Sequence, residues 1–501
     1  MRFLQNKVLI KRLSAIALGA LVPCAFAPYD LYFISLISLS ILFYFWSITS
    51  SSRESFILGY LFGFAMFGVG VNWLHISINL FGGVNILGAL LFTYIFIAYI
   101  SLYPALCGYL AVRFFKHSRI TALPALWLLT EWCRGWMLTG FPWLNIGSSH
   151  TDSVLAGFAP VFGDYGVTYF VCLSAMAITI LLTGDTKRRI ISGLLLVLII
   201  LSSSLLNNIN WTDDLNKDID IVLVQGAIPQ EQKWRPEQRQ KTYEIYSDLS
   251  KPFWSSDLII WPETAIPSLY HLADDFIIPI SSEQLSSNAI FMSGLAYKDS
   301  KSNNYFNSVL LIDDEHRFYH KNHLVPFGEY LPFKSFLGEI LRFLKIPMSD
   351  FSSGDPHQKI FVTDKGIFGM SICYEDAYGS EVRKALPDAN ILINVSNDAW
   401  FGDSFAPHQH LQMARMRALE NGRYLLRSTN TGISAVIDNK GKVISHSPQF
   451  KPHALSATVK LYSGETPYSK FGNNLILSLC ILGLFLSFMF RGKFKPYIKN
   501  Q

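Results

Sequence analysis

The chain has 501 residues, of which 50% are hydrophobic and only 16% charged, with 38 Phe, 23 Tyr and 11 Trp and a mean hydropathy of +0.27. Soluble domains carry about 25% charged residues, while the long polar stretches after residue 210 exclude a uniformly membranous chain, so the composition averages two unlike parts. A net charge of +5 is too small to argue for nucleic acid.

Apolar segments long enough to cross a bilayer lie near 11–28, 31–47, 56–75, 85–112, 120–138, 161–183 and 190–206, with an eighth at 473–490. They predict a seven-helix transmembrane domain over 1–210, a soluble domain over 215–465, an eighth helix and a tail at 491–501. Fifteen Lys and Arg residues gather in alternate connections, against Arg134 alone in the other short ones. Positive charge stays on the cytoplasmic side, which puts both termini inside and the soluble domain outside; in a bacterium that is the periplasm. Ala25-Phe26-Ala27 imitates a signal-cleavage site, but Pro28 directly after it argues against cleavage. Glu131 and Arg134 are three apart on one helix face. They read either as an internal ion pair or as a mouth for a polar headgroup beside the aromatic stretch Gly140-Phe141-Pro142-Trp143.

Past residue 215 short apolar runs alternate with turn residues. Strands are predicted at 219–225, 258–261, 289–294, 308–312, 367–372 and 390–395, helices near 235–250, 379–386 and 407–424, and a hairpin turn at Asp438-Asn439-Lys440-Gly441. The mixture predicts an α/β sandwich.

Of six cysteines, five fall in or beside predicted membrane helices, and only Cys373 lies in the soluble part. A lone thiol facing an oxidising compartment is either buried and inert or kept for reactivity. Cys373 ends a predicted strand and leads towards a helix, an elbow that exposes a nucleophile beside backbone N–H donors. A thiol needs a base or a cation to become a thiolate. Glu263, after a buried-looking strand closed by Pro262, suits a general base, and Lys321 follows the 308–312 strand and its turn. His320, His323, His408 and His410 show spacings seen in metal sites, without a carboxylate or cysteine nearby to complete a ligand set. Arg415, Arg417, Arg423 and Arg427 read as a solvated or salt-bridged helix face.

Trp261-Pro262-Glu263, Lys321 before Leu324-Val325-Pro326-Phe327-Gly328-Glu329, and Cys373-Tyr374-Glu375 together resemble the Glu-Lys-Cys arrangement of the carbon–nitrogen hydrolase, or nitrilase, superfamily. With Val224-Gln225-Gly226, Asn397-Asp398-Ala399-Trp400-Phe401-Gly402-Asp403, Gln409-His410-Leu411-Gln412-Met413-Ala414-Arg415 and Thr139-Gly140-Phe141-Pro142-Trp143-Leu144, the chain is similar over nearly its whole length to the apolipoprotein N-acyltransferases. The resemblance implies an αββα nitrilase-like domain joined to eight transmembrane helices, working without cofactor or metal as a monomer in the bacterial inner membrane. It implies that Cys373, activated by Glu263 and aided by Lys321, takes an acyl chain from a membrane phospholipid as a thioester and passes it to the α-amine of a diacylated apolipoprotein. Glu329 matches a glutamate supporting the lysine, and Trp234, Tyr374 and Glu375 match residues lining the acyl and headgroup site. A membrane-tethered amidase using water and a transporter with a regulatory soluble domain stand as alternatives; few charges in the helices disfavour the transporter. Leu331, Phe333, Phe336, Leu337, Ile340, Leu341 and Leu344 recur at near-helical spacing, predicting over 331–345 an amphipathic helix that packs on the domain or lies on the membrane as a lid.

Overall fold

The computed structural model describes residues 2–287, 289–332, 350–358 and 360–489. All but the first two residues of the amphipathic 331–345 stretch, and the whole 491–501 tail, lie outside the described residues. The chain divides into two compact units, one of residues 1–75, 85–209 and 471–501, the other of 76–84 and 210–470.

The first unit is helical. Four helical segments, Lys7–Ala25, Ile86–Phe114, Val154–Thr183 and Thr186–Asn207, are long and apolar enough to cross a membrane, and Ser52–Gly70 with Leu74–Leu80 makes a fifth that bends by 55°. Phe33–Ile48 and Asn474–Met489 are apolar but shorter. The run at 85–112 is two helices, Ile86–Ile100 and Leu102–Phe114. Small residues let these helices approach closely: a Cβ on Gly59 would stand 2.5 Å from the Pro104 carbonyl oxygen.

Burying ions in this unit demands partners, and Glu131 and Arg134 have them. Thr168 Oγ1 donates to Glu131 Oε1 at 2.7 Å, and Arg134 donates to the carbonyls of Phe141 and Trp143 at 2.6 Å and to Asn145 Oδ1 at 2.8 Å. Asn145 Nδ2 in turn donates to Asp164 Oδ2 at 2.9 Å. Both Glu131 and Arg134 are buried, 3.9 Å apart, and line a cavity with Tyr103, Trp127 and Thr130, so they sit in an internal network that also borders open space. The aromatic stretch supplies acceptors to that network.

The second unit carries two six-stranded sheets. One has the order β12-β1-β2-β3-β4-β5 and contains β1 (Asp213–Gln225), β2 (Leu258–Ile260), β3 (Ile290–Lys298), β4 (Tyr305–Ile312), β5 (His316–His320) and β12 (His453–Ser463). The other, β11-β10-β9-β8-β7-β6, contains β6 (Ile360–Val362), β7 (Ile367–Ile372), β8 (Ile391–Ser396), β9 (Leu425–Thr429), β10 (Ala435–Ile437) and β11 (Val443–His446). β1, β2 and β3 pair in parallel, as do β7, β8 and β9.

Period-two alternation sorts the side chains. Ile219, Ile221 and Leu223 meet Met370, Ile372 and Ile393 in the core between the sheets, while Val222 and Val224 turn outward to Tyr246 and Phe276 of the helices Arg239–Ser250 and Asp274–Ser287. On the outer face of the other sheet, Leu392 and Leu425 pack on Ala414 and Ala418 of the helix Ala406–Asn421. The layers are thus helix, sheet, sheet, helix. β5, β6, β9, β12 and the helix Asp274–Ser287 were not among the predicted elements; β6 and β9 are short, and the helix carries Pro279.

Candidate functional site

Glu263, Lys321 and Cys373 each follow a strand end. Glu263 comes after β2 and the Trp261-Pro262 extension, where Trp261 N donates to Met292 O at 2.8 Å. Lys321 follows β5 rather than the turn after 308–312, and its N–H donates to Asn307 O of β4 at 2.8 Å. Cys373 follows β7 of the other sheet. Cys373 (φ 51°), Thr264 beside Glu263 (φ 49°) and Phe327 near Glu329 (φ 63°) all take the left-handed backbone conformation. That conformation is costly for residues with a Cβ, most of all a β-branched threonine, and persists where surrounding structure over-determines it.

Lys321 Nζ stands 2.8 Å from Glu329 Oε2 and 3.7 Å from Glu263 Oε1, and its side chain is buried. Asn307 Nδ2 donates at 2.7 Å both to Glu263 Oε1 and to Glu329 Oε1, bridging the carboxylates. Burial raises the Glu263 carboxyl above its usual range, with Lys321 pulling against it. Burial works against the Lys321 ammonium, yet Glu329 and Glu263 hold its pKa above the ordinary value. The Cys373 thiol is pushed up by burial and by the Glu263 charge, and Lys321 opposes both. These shifts describe a neutral thiol on which the charges of Glu263 and Lys321 act in opposite directions.

The other expected residues divide. Trp234 is 40% exposed and able to present its ring to a ligand. Tyr374 is buried, accepting a hydrogen bond from Tyr378 Oη at 3.0 Å. Glu375 is fully buried, and its oxygens accept from Asn322 N (2.8 Å), His323 N (3.0 Å), Tyr319 Oη (2.7 Å) and Ile372 N (2.7 Å). It braces the Lys321 loop against the Cys373 turn.

Three groups went unnoticed in the sequence reading. Asn307 looks like any polar residue at a strand start. Lys233, beside Trp234, is buried, donates to Glu263 O at 3.0 Å and is lowered by burial to about 7. Arg427, Asp376, Asp398 and His410 form a buried ionic cluster. The helix-face reading of the four arginines is therefore corrected, while its salt-bridged alternative holds for Arg417 and Arg427. Arg427 lies in β9, and Arg423, also outside the helix, donates to the carbonyls of Ala389 and Gly464 at 2.7 Å. Only Arg415 and Arg417 belong to the helix, and Arg417 pairs with Glu420. Among the described residues no group of three or more His, Cys, Asp or Glu is arranged to hold a metal ion.

Residues 18–177 match the family model of the apolipoprotein N-acyltransferase N-terminal domain and residues 221–467 that of carbon–nitrogen hydrolase. An apolipoprotein N-acyltransferase of Methylococcus capsulatus is 40% identical over 473 residues, covering 93% of this chain and 94% of that protein. One of Nitrosomonas europaea is 40% identical over 482 residues, covering 95% and 96%. A solved carbon–nitrogen hydrolase of Helicobacter pylori aligns at 17% identity with a TM-score of 0.39, covering 56% of this chain and all of that one. With such identity sustained along nearly the full length of both chains, this protein belongs to the apolipoprotein N-acyltransferase family.

Proposed function

We propose that this membrane enzyme moves an acyl chain from a phospholipid to the N-terminal amine of a diacylated apolipoprotein through a thioester on Cys373. The observation that carries the reading is the pair of buried side chains Lys321 and Asn307 that hold Glu263 and Glu329 together, with the charges of Glu263 and Lys321 acting on the Cys373 thiol. Glu263 takes the thiol proton as sulfur attacks the ester carbonyl. Lys321 and the backbone N–H after Cys373 stabilise the oxyanion. As the ester C–O bond breaks, Glu263 returns the proton to the departing lysophospholipid, leaving the thioester. The lipoprotein α-amine then attacks, Glu263 removes its proton, and the thiolate leaves and is reprotonated. An amide is more stable than a thioester, so the transfer runs without ATP. Glu329 and Asn307 keep Lys321 charged and Glu263 oriented, and the exposed Trp234 ring offers aromatic surface to lipid.

The working arrangement is a monomer with eight crossings, cytoplasmic termini and a periplasmic catalytic domain. The lysines and arginines of the alternate connections support the orientation.

Intact-protein mass spectrometry after mixing with phospholipid tests the chemistry. A hydroxylamine-sensitive acyl adduct, absent from Cys373→Ala, is expected. An adduct that persists in that variant, or no adduct on folded wild type, would overturn the mechanism; release of free fatty acid at the rate of transfer would favour a water-using amidase.

A further inference from the structure

The carbonyl of Cys373 is held by side chains that the proposed chemistry does not use. Asn394 Nδ2, on β8, donates to it at 3.3 Å, and His410 Nε2, on the helix Ala406–Asn421, lies 3.3 Å from it. His410 is buried, with Nε2 2.7 Å from Asp376 Oδ1 and Nδ1 2.8 Å from Asp398 Oδ1. Arg427 completes the ring. Its Nη1 donates to Asp376 Oδ2 and to Asn394 Oδ1, both at 2.9 Å, and its Nη2 donates to Asp398 Oδ2 at 3.0 Å and lies 2.8 Å from His410 Nδ1.

Burial and Arg427 both work against a proton on His410, but Asp376 and Asp398 outweigh them and raise it to about 9. Burial would raise Asp398, yet Arg427 and His410 bring it down to about 2. Two carboxylates and two cations therefore share one dry compartment. The charged groups around His410 come from each packed element: Asp376 from the turn after Cys373, Asp398 from the segment after β8, Arg427 from β9, and on its own helix Arg417, which is paired with Glu420.

A buried charge cluster is costly, and one use for it is to specify a geometry. Here that geometry is the nucleophile's. Cys373 sits at φ 51° and needs surroundings that over-determine it. A peptide unit is planar and trans, so anchoring the Cys373 carbonyl also fixes the Tyr374 N–H, which points the opposite way and is the donor proposed above for the oxyanion.

We propose that His410, clamped between Asp376 and Asp398 and backed by Arg427, is a positioning residue that locks the Cys373–Tyr374 peptide and so aims both the nucleophile and its oxyanion donor. The inference rests on the reading of Cys373 as the acyl carrier. His410 also pairs with Asp398 at 2.8 Å, and the Asp398 charge opposes thiolate formation at Cys373, so losing His410 leaves that carboxylate less offset.

The test uses full-length wild type, His410→Asn and Asp398→Asn/His410→Asn in phospholipid micelles. It measures Cys373 alkylation by iodoacetamide across pH, together with kcat and KM for transfer to a diacylated lipopeptide. His410→Asn is expected to lower kcat roughly 10- to 100-fold, the scale of a small misplacement of reacting groups, with KM for phospholipid within about twofold. Its alkylation profile should move up by about one pH unit for the loss of a nearby cation. The double variant restores neutrality and should return the alkylation profile while transfer stays slow, because the carbonyl anchor is still missing. Wild-type-like transfer in His410→Asn, or in the double variant should the single one not fold, overturns the proposal. So does slow transfer with an unmoved alkylation profile, the mark of plain destabilisation. If neither variant folds, Asn394→Ala, which removes the other donor to the same carbonyl, decides: slowed transfer is expected, and transfer at the wild-type rate overturns the idea. An acyl adduct surviving in Cys373→Ala would instead remove the underlying reading, whatever His410 does.

Discussion

Asn307 joins Glu263 to Glu329 through one amide nitrogen, each hydrogen bond 2.7 Å long. Hydrogen bonds to charged groups contribute about 1.5–3 kcal/mol each, and here the amide also keeps two carboxylates apart from direct repulsion. Asn307→Ala should lower kcat for acylation roughly 10- to 100-fold and raise the pH at which Glu263 becomes a competent base, read as a basic shift in the acidic limb of the single-turnover profile. An unchanged limb would confine Asn307 to packing. Lys233 acts on the same carboxyl, since its charge lowers the Glu263 pKa. Lys233→Met should therefore move that limb the same way.

At the scale of elements, the site depends on how β3 meets the turn after β2. Gly294 N donates to Pro262 O at 3.1 Å, and Gly294 O accepts from Ile266 N at 3.2 Å. A Cβ on Gly294 would stand 2.4 Å from Thr264 N and 2.6 Å from Glu263 Cα, both backbone atoms that cannot step aside. Gly294→Ala should push Glu263 away from Lys321 and cost at least about tenfold in acylation. Measured side by side with Tm, activity should fall more than stability, because the strand itself can remain paired. Glu375 illustrates the same scale: one buried carboxylate joins β5, the loop after it and the Cys373 turn, so one motif residue serves as a brace between two others.

At the scale of the whole molecule, the buried ion cluster couples stability to pH. His410 has its pKa raised from 6.5 to about 9, so its stabilisation is complete below pH 6.5 and is lost as pH rises through about 9. Asp398 has its pKa lowered from 3.8 to about 2, so its contribution is present above pH 3.8 and is lost as pH falls through about 2. Thermal unfolding followed across pH should show Tm declining between pH 6.5 and 9, and the decline should be absent in His410→Asn. The proposed topology is tested separately with a membrane-impermeant maleimide on whole cells whose outer membrane has been permeabilised. Lys301→Cys, in an exposed turn of the second unit, should label, whereas Lys187→Cys, exposed in the first unit, should label only after the inner membrane is lysed. The reverse pattern would invert the orientation.

By itself the sequence determined what depends on neighbours along the chain. Apolar run length marks the helices of the first unit, period-two alternation marks the longer strands, Glu263 and Cys373 stand out because each follows a predicted strand, and Lys321 stands out through the motif after it rather than through β5. Tertiary structure alone decided which polar residues face a dry interior. His410 and Arg427 read as a metal-like spacing and a solvated or salt-bridged helix face until the fold brings them against Asp376 and Asp398. Asn307 and Lys233 become part of the site only when β4 and the segment before Trp234 close on Glu263. The reason is physical: apolar periodicity records burial against a face, but the value of a buried charge depends on partners that can lie far along the chain, and local pattern carries no trace of them.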